Sequence, residues 1–208
     1  MTGHNLDWRY ATKVFDADRK LSDEQLHKLV ESVRLAPSSY GMQPIHIKVI
    51  SQQQIKEKLK EASFGQSQIS DCSHLLVFCI QQNTGIAEVD EYMDRISRIR
   101  DLAVDSLSGY GDMIKGFLSQ QSPGVKDVWA ARQTYLCLGF LLYTCAILKV
   151  DACPIEGFSP ESYDAILGLT SEGLSSVVVA AVGFRSAADT TQHQAKVRKS
   201  TEEMFDFI

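Results

Sequence analysis

The stretch Tyr135–Leu148 is apolar at almost every position, and this constrains the fold more than any other part of the chain. It is shorter than the roughly 20 residues that cross a bilayer, so it reads as a helix buried in a protein core or against a second copy. Trp129, Arg132 and Gln133 lead into it, and the helical segment extends over residues 125 to 150. Such a helix needs partners on the sheet side. His74–Ile80 is apolar nearly throughout, as a central strand covered on both faces would be. Ile45–Ile50 alternates like a strand with one buried face, and residues 175 to 183 form another strand.

The helices announce themselves by their ends. Ser22 and Gln25 fit a capping box, and Leu26, Leu29, Val30 and Val33 follow at helical spacing until Ala36-Pro37 stops the run near Leu35. Residues 52 to 62 read as a charged helix, and Phe64–Gln68 as a loop. Tyr92, Ile96, Ile99 and Ala103 mark a helix whose Arg95, Arg98 and Arg100 give a solvated or inter-subunit face. Ser159-Pro160-Glu161 restarts a helix with N-cap and first-turn chemistry. Between the long helix and that restart, Asp151–Phe158 contains Pro154, Glu156 and Gly157 and reads as a turn leaving a buried element.

Several chemistries are excluded by pattern. Gly109–Gly116 fails as a dinucleotide fingerprint because its third glycine falls late and no strand precedes it, leaving a loop or helix start. There is no P-loop and no His-Glu-x-x-His pair, and the five cysteines form no Cys-x-x-Cys, so no metal site is expected. The odd cysteine count, together with an N-terminus lacking a basic and apolar leader, predicts free thiols in a cytoplasmic protein. A net charge of −5 argues against nucleic acid as a partner. No membrane partner is expected either, and the absence of repeats or composition breaks predicts one domain over residues 1–208.

Two groups of cations stand out. Arg9 and Lys13 are four apart, which suits one helical face or convergence on an anion; a solvated face is the plain alternative. Lys196, Arg198 and Lys199, interrupted by Val197, suit a single phosphate, with a solvated tail as the alternative. The loop Pro37–Pro44 offers hydroxyls, an amide and backbone N–H groups to a ligand, or serves as a connector. His74, at a strand entrance, reads as a structural hydrogen-bonding residue.

Four separated pieces, Arg9–Phe15, Ala36–Pro44, Pro154–Phe158 and Lys196–Arg198, together resemble the FMN-dependent nitroreductases, and the ordered set spans nearly the whole chain. The resemblance implies an α+β fold with a mainly antiparallel central sheet flanked by helices, in an intertwined homodimer holding two FMN molecules at the subunit interface. By position it implies a cofactor site formed by Arg9, Tyr10, Ala11, Lys13, Pro37, Ser38, Ser39, Gly41, Pro154, Ile155, Glu156, Gly157, Lys196 and Arg198. Arg9, Lys13, Lys196 and Arg198 would hold the phosphate, ribityl chain and pyrimidine edge, and the Glu156 backbone N–H would face flavin N5, with Gly157 kept small beside it.

Tyr40 and Phe117 would project into a substrate channel, and Gln66 is a further flavin-contact candidate. The implied activity is ping-pong hydride transfer from NADH or NADPH, through the flavin, to a small electrophile such as a nitroaromatic or quinone, without a catalytic side chain. Other readings of the same fold are flavin fragmentation, dehalogenation, enoyl reduction or non-catalytic flavin binding. Three positions depart from the family pattern: Ala11 where serine is frequent, Gly41 where asparagine is frequent, and Ile45 where tryptophan often follows Gln-Pro.

Overall fold

A computed structural model describes residues 2–208. Thr2–Trp8 forms α1, and Asp23–Arg34 forms α2, opened by the expected reciprocal bonds between Ser22 and Gln25. Strand β1, Ile45–Ile50, is followed by α3, Gln53–Glu61, and α4, Ser67–Asp71. After β2, His74–Gln81, come α5, Ile86–Arg100, and α6, Ser108–Ser119. Helix α7 runs over Pro123–Leu148 and leads into β3, Asp151–Ile155. The described chain closes with α8, Pro160–Leu167, β4, Leu174–Gly183, and α9, Thr201–Met204.

The strands make an antiparallel sheet in the order β1-β2-β4-β3. The largely apolar β2 and β4 therefore sit in the middle, where both faces are covered. One face packs under α3, α4 and α8 through Leu59, Ile69, Val77, Tyr163 and Val179. The other packs under α2 and α7 through Leu29, Phe78, Cys137, Leu141, Cys145, Val178 and Val182. A third cluster, built from Met42, Val89, Met93, Ile96, Ile114 and Leu118, joins α5 to α6.

Several local readings change. Asp151–Ile155 is not a turn but an edge strand, in which Pro154 stands opposite Ala180. Proline is tolerated there because an edge strand does not require every N–H for the ladder. In β1 only Ile50 is buried, because the strand lies at the other edge and its apolar face is part of an open groove shared with α2 and α5. Gly109–Gly116 opens α6, the helix-start alternative, whereas the predicted Phe64–Gln68 loop gives way to α4 at Ser67. The helix expected to reach Ala103 stops at Arg100, where Asp101 adopts a left-handed conformation.

Candidate functional site

The segment after α1 is shaped by an aspartate far away in sequence. Asp189, 1% exposed, accepts through Oδ2 from Tyr10 Oη at 2.8 Å, Lys13 N at 2.8 Å and Val14 N at 3.1 Å, and through Oδ1 from Thr191 N at 3.0 Å. Burial pushes this carboxyl up, but the N–H donors of Lys13 and Val14, with Tyr10 and Thr191, bring it below its ordinary value. The segment also lies along the edge of β3, with Thr12 N donating to Ala152 O at 3.3 Å. Nearby, buried Asp151 accepts from Arg185 N at 2.8 Å and Arg185 Nε at 2.7 Å, and the guanidinium stacks on the Trp8 and Tyr10 rings. Tyr10 is therefore turned to Asp189 and Arg185, and its hydroxyl is committed.

This scaffold gathers cations. Lys196 Nζ donates to the Arg9 carbonyl. Burial, then the charge of Arg198, lowers the Arg9 pKa, and burial followed by Arg9 and Arg198 lowers that of Lys196. Lys13 is exposed, and its charge and that of Arg9 both reach the Cys153 thiol on β3, which burial nonetheless pushes up. Among the described residues, none of Arg9, Lys13, Lys196 and Arg198 makes an ion pair. Three mutually repelling cations, none in an ion pair and Lys196 alone offset by the charge of Asp7, form a site that a multiply charged anion would stabilise.

The Pro37–Pro44 loop is fixed internally and by α7. Ser38 Oγ accepts from Gln43 N at 3.0 Å, and Ser39 N donates to Gln133 Oε1 at 2.9 Å. Pro37 and Gly41 are exposed, while Ser38, Ser39 and Tyr40 are half-buried. Tyr40 packs its ring against Phe117 at 5.6 Å between centroids, and Phe117 against Trp129 at 6.3 Å. The two channel candidates thus touch one another.

The turn after β3 hangs on Gln66. Its Nε2 donates to Gly157 O at 2.7 Å and Ser63 O at 3.0 Å, so this residue positions the turn from the α3–α4 connection. Ser159 N reaches Ala62 O at 2.9 Å and completes the attachment. Pro154 and Ile155 belong to the strand, whereas Glu156 and Gly157 are exposed, and their N–H groups have no partner among the described residues. The Glu156 carboxylate is engaged elsewhere, accepting from Tyr135 Oη at 2.5 Å. A Cβ on Gly157 would meet only Gln66 Nε2, at an ordinary 3.5 Å, so the fold of this chain does not itself demand glycine there.

Arg9, Lys13, Lys196 and Arg198 thus lie together beside β3, and Glu156 and Gly157 sit at the end of the same strand. No hydrogen bond among the described residues joins the Ser38–Gly41 loop to either group. Ala11 pairs its backbone with Ala152 and packs its methyl against the core under α3, α4 and α8. Residues 6–184 match the model of the nitroreductase family. The chain belongs to that family. A Staphylococcus epidermidis protein provisionally named an NAD(P)H nitroreductase is 31% identical over 97% of this chain and 94% of its own length.

Among solved nitroreductase-fold structures, one described as a provisional NAD(P)H:FMN oxidoreductase from Staphylococcus epidermidis superposes with a TM-score of 0.87 at 24% identity, covering 100% of this chain and 96% of its own. A provisional nitroreductase from Exiguobacterium sibiricum, solved in complex with FMN, gives 0.86 at 19% identity, covering 100% and 97%. The α+β fold is that of the nitroreductases. The family match stops before the tail that carries Lys196 and Arg198.

Sequence reasoning missed Asp189, Asp151, Arg185 and Gln68. Asp189-Thr190-Thr191 does carry a local cap signal, since Asp189 caps the short helical turn that follows. Its bonds to residues 10, 13 and 14 have no sequence signature. Gln68, 8% exposed on α4, makes no side-chain hydrogen bond to a described residue, which leaves its amide available to a ligand.

Proposed function

We propose that this nitroreductase-family chain is an FMN-dependent oxidoreductase that passes hydride from NADH or NADPH to a small electrophile, a nitroaromatic or a quinone, in a ping-pong cycle. The observation that carries this reading is the cluster of Arg9, Lys196 and Arg198, with Lys13 beside it, none of them in an ion pair among the described residues, next to a turn with free N–H groups. FMN matches that donor set: a phosphate dianion for the cations and a polar ring edge for the backbone donors. When bound, it supplies N5 as the atom that accepts and gives up hydride.

The chain's own part is to bind and orient. Arg9, Lys13, Lys196 and Arg198 would neutralise the phosphate and favour negative charge on the pyrimidine edge. The N–H groups of Glu156 and Gly157 would bind the ring edge, on a turn held by the Gln66 contact to the Gly157 carbonyl. Ser38, Ser39 and Tyr40 lie on a loop, packed through Tyr40 against Phe117 of α6, that shares no hydrogen bond with either group among the described residues, which favours sites completed by a second copy. The names of the S. epidermidis relative and the FMN-bound E. sibiricum structure support the cofactor and the nicotinamide donor.

The protein is expected to purify yellow or to take up FMN, and NAD(P)H is expected to bleach it under anaerobic conditions until an acceptor is added. Lys196→Ala combined with Arg198→Ala removes two charge-assisted contacts and should weaken FMN binding roughly a hundredfold or more. Flavin fluorescence titration checks this. Undiminished affinity in the double variant would place the phosphate elsewhere.

A further inference from the structure

Gly41 and Tyr40 form an unusual backbone corner. Tyr40 has φ +57° and Gly41 φ +80°, both left-handed, and for tyrosine that region is costly unless its surroundings impose it. Two phenols impose it. Tyr92 Oη on α5 donates to the Tyr40 carbonyl at 2.7 Å, and Tyr110 Oη on α6 donates to the same oxygen at 2.9 Å. A Cβ added to Gly41 would lie 2.4 Å from Tyr92 Oη and 3.3 Å from Tyr92 Cζ, so the Tyr92 hydroxyl occupies the place of a residue-41 side chain. Glycine at 41 and tyrosine at 92 are one arrangement.

Helices α5 and α6 have their own apolar cluster, and Tyr40, Met42, Phe117 and Trp129 are where it meets the loop and α7. We propose that Tyr92 and Tyr110 are positioning residues that latch this two-helix lobe to the Ser38–Gly41 loop and hold the Tyr40 ring against Phe117, thereby setting how the acceptor is bound. The part concerning the acceptor rests on the cofactor reading above; the latch itself does not. Either phenol alone still holds the carbonyl, so the two act redundantly. Removing both hydroxyls frees the Tyr40 peptide to leave its left-handed conformation, and the wall formed by the Tyr40 and Phe117 rings loses its fixed shape.

Two measurements test the latch. At saturating FMN, Tyr92→Phe with Tyr110→Phe should keep kcat, while KM for a nitroaromatic or quinone acceptor rises about three- to tenfold. Each single variant should move KM less than half as far on a logarithmic scale. An unchanged KM in the double variant, or a fall in kcat equal to the change in kcat/KM, overturns the acceptor-binding role. In flavin-free protein, Gly41→Ala should lower the melting temperature by more in the Tyr92 background than after Tyr92→Phe, because the strain of φ cancels in the cycle and only the clash with the hydroxyl remains. Equal losses overturn the latch. If wild type takes up no FMN, the cofactor reading fails and this cycle alone decides the latch.

Discussion

Asp189 shows how one side chain organises a site it does not enter. Burying a carboxylate without partners is costly, yet here two backbone N–H groups of the 10–14 segment, the Tyr10 hydroxyl and Thr191 N converge on it. Asp189→Ala leaves those donors unpaired in a buried place, and we expect a loss of about 3 kcal/mol or more in unfolding free energy by urea titration. Asp189→Asn retains an oxygen acceptor and should lose less. The folded carboxyl lies below the ordinary 3.8. Its stabilisation is therefore full above that value and is lost as pH falls through the lower folded value. The gap between wild type and Asp189→Ala should shrink over that acid range, and a gap independent of pH would show that the carboxylate charge is irrelevant.

At the scale of elements, legibility followed local chemistry. The capping box at Ser22, the Ser159-Pro160 restart of α8 and the apolar β2 were readable because their signals lie within a few residues. Strand β3 was not, because Pro154 and Gly157 read as turn residues, and only the register against β4 reveals that Pro154 occupies an edge where its missing N–H is harmless. The site split the same way. Spacing marked Arg9, Lys196 and Arg198 as anion-binding candidates beside a solvated alternative, family resemblance joined them, and their mutual repulsion is visible only in three dimensions. Asp189 and Gln66 act through contacts spanning many residues, for which a single sequence carries no mark.

The β3–α8 turn yields a sharp contrast. Glu156 commits its carboxylate to exposed Tyr135, whereas Gln66 fixes the Gly157 carbonyl. Glu156→Gln keeps an acceptor for Tyr135 and should change FMN affinity by less than about twofold. Gln66→Ala releases the turn and should weaken it about three- to tenfold. Equal effects in fluorescence titration would return the carboxylate to the centre of the site.

For the whole molecule, the decisive fact is that α7 is covered on one side only. Cys137, Leu141 and Cys145 are buried against α2 and the sheet, yet Leu136, Phe140, Tyr143 and Ile147 recur at helical spacing and are 45%, 42%, 39% and 46% exposed. The tail beyond Lys196 likewise exposes Val197, Phe205 and Phe207. A helix apolar all round with one face open suits an interface, and we propose that a second copy covers α7 and gives the tail an apolar surface. Phe140→Asp with Ile147→Glu places two charges on the open face and none in the core. Sedimentation velocity should then report a monomer where wild type is a dimer, with helical circular dichroism retained. Because the Ser38–Gly41 loop shares no hydrogen bond with the cation cluster among the described residues, that monomer should also lose FMN. A folded monomer that keeps full flavin affinity would show that each chain completes its own site.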